Sequence, residues 1–318
     1  MSKLYSIGEL LIDFQSVGTG SLKDTAQFVK NAGGAPANVC VQAVKLGQKA
    51  VYLTKVGNDG FGDFLVQTLE DEGVDTSFVS KSDDYDTSLA FVSFKENGER
   101  EFSFYRRAAA DLHFTPEDFR GVSFNRGDVL EFGSVALKTA EARETHLYLI
   151  DKAEEAGALV CFDPNLRFNL WESRDELRAT VNEFLKYAHV IKVGLDELEF
   201  ITGESGENAV KRLFGGKLKI ALVTDGGKGA KVYFADGRSY ACGGYKVKTV
   251  DTTGAGDSFF GAFIAQLLEA EITPETLEKG ADYAKMLDFA CKCGAYTTAG
   301  YGAIPAMGSR ENVEKAVK

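Results

Sequence analysis

Short apolar runs alternate with longer amphipathic stretches along most of the chain. Residues 4–7, 51–56, 128–132, 158–162, 190–193 and 218–223 are apolar and bounded by Gly, Asp or Asn, which predicts buried strands. Between them, 37–46 follows a Gly-Gly-Ala-Pro opening, 62–72 stops at Gly73 and 139–156 stops at Gly157. All three predict helices, the last two with a glycine just past the end. Further helices are expected over 258–270 and 274–292. Strands alternating with helices imply a mostly parallel sheet covered on both faces, an α/β fold.

Two stretches break the alternation. Residues 87–94 and 100–105 alternate polar and apolar positions and are joined by Lys95-Glu-Asn-Gly98, which reads as a hairpin. Residues 11–14 and 27–30 are also strand-like. Together they form either a small sheet over the C-terminal edge of the main one, where α/β proteins bind ligands, or an edge hairpin without function. The pattern leaves both open. A second hairpin is expected from 230–234 and 238–242 through Asp236-Gly237.

Composition narrows the function classes. The 318 residues suit one large α/β domain with an insertion, or two domains. Hydrophobic residues make up 44% and charged residues 26%, an ordinary globular balance. With 36 Lys and Arg against 47 Asp and Glu, the net charge of −11 argues against nucleic acid or an anionic membrane as the main partner. No signal peptide and no apolar run near the ~20 residues of a bilayer span is visible, so a cytoplasmic protein is expected. Five cysteines in mostly apolar segments read as free thiols. Cys291 and Cys293 form only a C-x-C pair, without the second pair or His cluster of a zinc site.

The densest chemistry lies in Asp251-Thr-Thr-Gly-Ala-Gly-Asp257, immediately before the helix expected at 258. Gly254 and Gly256 allow a tight turn with bare N–H groups where a helix begins, which favours an anion. Asp257 in the same turn is then either a cap of a core helix or a general base beside an anion hole, the pairing that phosphoryl transfer to an alcohol requires. Phe259 stands where a Rossmann fingerprint needs its third Gly, Val232 fails the Gly227-Lys-Gly229 turn likewise, and no Walker loop exists. A dehydrogenase is therefore a poor reading. In Asn31-Ala-Gly-Gly-Ala-Pro-Ala-Asn38, Gly33 and Gly34 permit close approach of a ligand, and Asn38 offers an amide. With Asp13 these make a grip for a polyol, or a Gly-rich helix entry with a surface Asn.

These segments together resemble the ribokinase-type (PfkB) carbohydrate kinases, and among them fructokinases most. Gly8-Glu-Leu-Leu-Ile-Asp13-Phe, Gly33-Gly-Ala-Pro-Ala-Asn38 and Val56-Gly-Asn-Asp-Gly-Phe-Gly62 fit the N-terminal signature. Phe162-Asp-Pro-Asn-Leu-Arg167 with Leu170-Trp171 fits a middle block, Asp251 to Asp257 the C-terminal signature, and Gly302-Ala-Ile-Pro305 the tail. The resemblance covers nearly the whole chain in the family's order. It implies a ribokinase-like three-layer sandwich whose main domain is 1–10, 32–86 and 106–318, with a small β-sheet lid from 11–31 and 87–105. It implies ATP and Mg2+, a site for a monovalent cation such as K+, and a homodimer through the lid.

Roles carry over residue by residue. Asp257 matches the catalytic base, and Gly254, Ala255 and Gly256 the anion hole. Asp13, Gly33, Gly34 and Asn38 match sugar contacts; Arg106 sits where the lid reaches the sugar or its phosphate, and Arg167 near the same site. Thr224, Gly226, Gly227 and Gly229 match a nucleotide loop. Lys192 and Glu197 match the block approaching the phosphates, Glu197 reaching magnesium through water or phosphate. Asp251 and Thr253 match the monovalent-cation site. Two positions depart from the family: Gly194 stands where Asn often opens an Asn-x-x-Glu pattern, and Cys291 where an Asn often contacts nucleotide. The implied reaction is phosphorylation of the primary hydroxyl of fructose. Tyr105-Arg106 with Arg167 also resembles the carboxylate clamp of 2-keto-3-deoxygluconate kinases. A sugar-binding regulator without catalysis is the reading from another class.

Overall fold

A computed structural model describes residues 2–94 and 100–317. The first five strands and two helices are β1 (Lys3–Ile7), β2 (Leu11–Thr19), β3 (Phe28–Gly33), α1 (Ala35–Lys45), β4 (Lys49–Gly57), α2 (Gly60–Asp71) and β5 (Asp75–Ser82). Next come β6 (Ser88–Phe94), β7 (Arg100–Tyr105), β8 (Val129–Gly133), α3 (Ala140–Glu155), β9 (Leu159–Asp163), α4 (Arg174–Leu185) and β10 (Val190–Gly194). The chain continues through α5 (Leu195–Thr202), α6 (Gly206–Leu213), β11 (Ile220–Thr224), β12 (Gly229–Phe234) and β13 (Ser239–Gly243). It closes with α7 (Ala255–Glu269), α8 (Tyr283–Thr297) and α9 (Arg310–Ala316).

Nine strands form the main sheet in the order β13-β12-β11-β10-β9-β8-β1-β4-β5. It is parallel from β11 to β5, with β12 and β13 antiparallel at one edge. Alternation along a strand sorts side chains between two cores. Leu4 of β1 joins the core with Val39 of α1, Phe263 of α7 and Leu287 of α8. Tyr5 and Ile7 join the opposite core with Leu149 of α3 and Val181 of α4. The other sheet, β3-β2-β6-β7, grows from the C-terminal edge of the first, since β2 follows β1 after three residues.

The parallel strands, the first helices and the 236–237 hairpin lie where the pattern places them; the Lys95–Gly98 turn falls outside the described residues. The helix expected over 274–292 is a correction. Residues 274–281 form turns and bends, and α8 starts only at Tyr283, where the Asp282 carboxylate accepts the Lys285 N–H at 3.2 Å. Only single turns close in this stretch, the Thr276 and Lys279 N–H groups bonding three residues back and the Gly280 N–H reaching the Thr276 carbonyl at 2.7 Å. The periodic pattern spans both segments, but the cap fixes the start. Edge strand β5 and helices α4, α5, α6 and α9 were not foreseen; β5 is only partly covered, so its apolar run is broken. No helix among the described residues is long and apolar enough to cross a membrane.

Candidate active site

The turn before α7 is built on Gly254, whose φ of 76° is left-handed and whose missing side chain leaves room for Ala303. Asp257 follows in the first turn of α7, where amides lack intrahelical acceptors. The Ala255 N–H leans on the Thr252 carbonyl at 3.4 Å. Asn38 of α1 donates its Nδ2 to Asp257 Oδ2 at 2.8 Å. Burial raises the Asp257 pKa above the usual carboxylate range, while Lys192, the Asn38 bond and Arg167 pull it back. Asp257 is thus an ionisable carboxylate held in place by a neutral amide.

The neighbouring strand ends bring a buried ion pair to the same spot. Lys192 of β10 donates to Asp163, the last residue of β9, at 2.8 Å, with side chains 9% and 2% exposed. Burial opposes the ammonium, yet Asp163, Glu197 and Asp257 together hold its pKa above normal. Burial pushes the Asp163 carboxyl up to about 6 against the pull of Lys192. A Cβ on Gly256 would lie 3.0 Å from Lys192 Nζ, so a cation stands directly beside the amide turn. A carboxylate base, bare helix-start amides and a lysine therefore converge on one point, an arrangement suited to a transferring phosphoryl group.

Two clefts open from that point. One is lined by Asp13, Gly34, Asn38, Arg167, Lys192 and Asp257, with Val92, Phe102 and Phe104 of the small sheet as its roof. Asn38 Oδ1 and Glu9 Oε2 are buried there without a hydrogen-bond partner among the described residues. Burial lifts the Glu9 carboxyl to about 7, and its Oε1 accepts the Ala35 N–H at 3.1 Å. Unpaired buried acceptors are costly, and a ligand whose hydroxyls reached them would offset that cost. Gly33 lies behind it, where a side chain would collide with the Asp13 carboxylate. Gly34, at φ 121°, leaves no room for a Cβ beside the Glu9 carbonyl. Gly34→Ala is expected to raise the KM for sugar and to destabilise the fold by at least about 1–3 kcal/mol, read from sugar titrations and thermal melts; an unchanged variant would remove Gly34 from the site.

The second cleft is lined by Thr224, Gly226, Gly227, Gly229 and Cys291, with Ala255, Gly256 and Phe259 at its inner end. Gly256 and Thr252 belong to both clefts, so the two meet at the α7 turn. Gly229 takes φ 104° and packs on the Cys242 carbonyl, which is why this loop carries glycine. Asp251 stabilises its own turn, accepting from the Thr253 N–H and hydroxyl at 3.0 and 2.7 Å and from the Gly302 N–H at 3.1 Å.

Two sequence expectations are placed differently. Arg106 does not line either cleft: its Nη2 is 2.9 Å from Asp111 and its Nε donates to Ser88 at 3.0 Å, all three residues buried where the small sheet joins the main one. Buried charge finds a partner inside the protein, and Asp111 five residues on is not readable as that partner from sequence. Glu197 also lines neither cleft; its oxygens accept the Leu166 and Gly194 N–H groups at 2.7 and 2.8 Å. It ties the start of α5 to the loop carrying Arg167. Gly194 makes the second of these bonds through its backbone N–H and needs no side chain for it, so the departure from Asn leaves the tie intact.

Sequence reading gave no role to Asp163, Glu9, Gln15, Asn165 or Phe259, all of which stand at the two clefts or the ion pair. Asp163 ends an apolar strand run, the one signal that could have marked it.

The family model "pfkB family carbohydrate kinase" matches residues 1–309. Fructokinase-2 of Solanum lycopersicum is 40% identical over 307 residues, covering 96% of this chain and 92% of its own. Fructokinase-1 of Oryza sativa subsp. japonica is 40% identical over 98% of this chain and 97% of its own. Among solved structures, a fructokinase from Vibrio cholerae O395 in a fructose-, ADP- and calcium-bound form superposes with a TM-score of 0.89 at 33% identity, covering 100% of this chain and 99% of that one. An aminoimidazole riboside kinase from Salmonella enterica, complexed with aminoimidazole riboside and an ATP analogue, gives 0.85 at 28% identity, covering 99% of both chains.

Proposed function

The chain belongs to the pfkB family of carbohydrate kinases, and from that membership we propose that it transfers the γ-phosphoryl group of ATP to the primary hydroxyl of D-fructose, giving fructose 6-phosphate and ADP. The single observation that carries this reading is the meeting of a hydroxyl-seeking cleft and a glycine-lined cleft at Asp257 and Gly256. The relatives named above supply fructose as the acceptor. Sugar lies under the small sheet, which acts as a lid, and ATP in the cleft beside Gly226 and Gly229. Asp257 takes the proton of the attacking hydroxyl while the α7 amides and Lys192 hold the charge of the phosphoryl in flight. Closure of the lid excludes water, the competing acceptor.

Among the described residues no three His, Cys, Asp or Glu side chains gather as a cation cage. That fits a Mg2+ carried mainly by ATP phosphates and water, which would lend positive charge to the phosphates; with its oxygens held by the Leu166 and Gly194 N–H groups, Glu197 would reach it only through water. Asp251 and Thr253 would hold the monovalent cation. Exposed Val17, Val29 and Tyr105 on the small sheet support a homodimer through it. With Arg106 bound to Asp111, a clamp on a sugar carboxylate has lost one of its arginines. A sugar panel with coupled ADP detection is expected to give fructose the highest kcat/KM, ahead of 2-keto-3-deoxygluconate and ribose. Preference for the carboxylate sugar would overturn the substrate, and tight sugar binding without ADP release would overturn the kinase reading.

A further inference from the structure

We infer that Gln42 and Ser258 form a positioning pair that locks α7 against α1 and so keeps Asp257 at the Asn38 amide. Asn38 and Gln42 are four residues apart on α1 and share one face. Asn38 meets Asp257 at 2.8 Å, and one turn further Gln42 Oε1 accepts the hydroxyl of Ser258, the next residue of α7, at 2.7 Å. Gln42 Nε2 donates to the Gly308 carbonyl at 3.1 Å, so both ends of its amide are engaged. Gln42 and Ser258 are both 0% exposed and sit in an otherwise apolar crossing beside Val39, Phe260 and Ile264.

The two helices come into close contact at Gly261. A Cβ on Gly261 would lie 2.8 Å from both the Val39 carbonyl and Gln42 Cβ. Apolar packing alone is non-directional and tolerates a small rotation of α7. A buried amide-to-hydroxyl bond does not, and an apolar pair of the same shape would serve stability equally well. What the polar pair adds is the angle at which α7 presents Asp257. A base misplaced by about 1 Å can lose on the order of 10²-fold in rate.

This inference rests on Asp257 being the base. Asp257 is faced by Lys192 from β10, Arg167 and Asp163 from the β9 end, Glu197 from α5 and Glu131 from β8, besides Asn38. Donation from Asn38 favours the ionised carboxylate, so loosening it raises the Asp257 pKa.

Ser258→Ala and the double variant Gln42→Leu/Ser258→Ala would be compared with the parent for kcat, sugar KM, melting temperature and the pH profile of kcat/KM. Ser258→Ala, the loss of one oxygen, is expected to lower kcat on the order of 10-fold, leave the sugar KM nearly unchanged, and move the acid limb to higher pH. The double variant removes both partners of this bond but also leaves the Gly308 carbonyl without its Gln42 donor, so it is expected to regain only part of the melting temperature while kcat stays low. Recovery of kcat together with melting temperature, or a Ser258→Ala enzyme with parental kcat and acid limb, overturns the inference. Should the double variant fail to fold, the acid limb of Ser258→Ala decides. An active Asp257→Asn enzyme would instead remove the base itself, which separates the two failures.

Discussion

Asp257→Asn is expected to lower turnover by roughly 10²–10⁴-fold, the loss that follows removal of a general base, while sugar and ATP still bind. The substitution keeps size and shape, and its carbonyl still accepts from Asn38, so the turn and the clefts persist. Only the capacity to take a proton disappears. In the parent, kcat/KM falls as pH drops through the Asp257 pKa, which burial places above the usual carboxylate range. The variant's residual activity lacks that limb. Stability moves the other way. A carboxyl whose folded pKa is raised favours the fold below its unfolded pKa and loses that contribution as pH rises through the folded value. The parent therefore carries a cost at neutral pH that the neutral Asn does not, and the variant is expected to melt no lower than the parent at pH 7, its advantage shrinking in acid. Steady-state kinetics and melts across pH check both limbs; near-parental turnover in folded variant sinks the assignment.

Lys192→Met is expected to damage both catalysis and the fold. The ammonium stands beside Gly256, where the proposed transfer would gather charge. Loss of such a donor costs on the order of 10²–10³ in kcat. Removal also leaves Asp163 buried without its cation, and breaking one side of a buried pair destabilises by about 3–5 kcal/mol. Since Asp163 titrates at about 6 even with Lys192 present, losing the lysine raises it further, and the stability deficit shrinks as pH falls and the carboxyl protonates. Pairing the change with Asp163→Asn is expected to restore melting temperature but not turnover. Equal recovery of both would reduce Lys192 to a structural ion pair.

Local features of this chain are written in neighbouring residues, and distant contacts are not. Strand runs such as 190–193 and the glycine turn at 254–256 are legible because backbone conformation and periodicity act over a few neighbouring residues. The same holds for Asp257 and Asn38 as polar groups at helix starts. Their bond is not legible, since it joins residues 219 apart in the chain. Arg106 shows the limit from the other side: the family resemblance implies a ligand contact for it, and burial against Asp111 and Ser88 gives it a partner inside the protein instead.

The order of apolar and polar positions was enough to determine a parallel sheet covered on both faces, and the glycines at 254 and 256 marked a tight turn at a helix start. Only packing of α1 on α7, and of β9 beside β10, decided that Asn38, Asp257, Lys192 and Asp163 form one centre. The reason is that hydrophobic patterning specifies which face of each element is buried, whereas hydrogen bonds and ion pairs depend on ångström-scale distances that exist only once those faces have met.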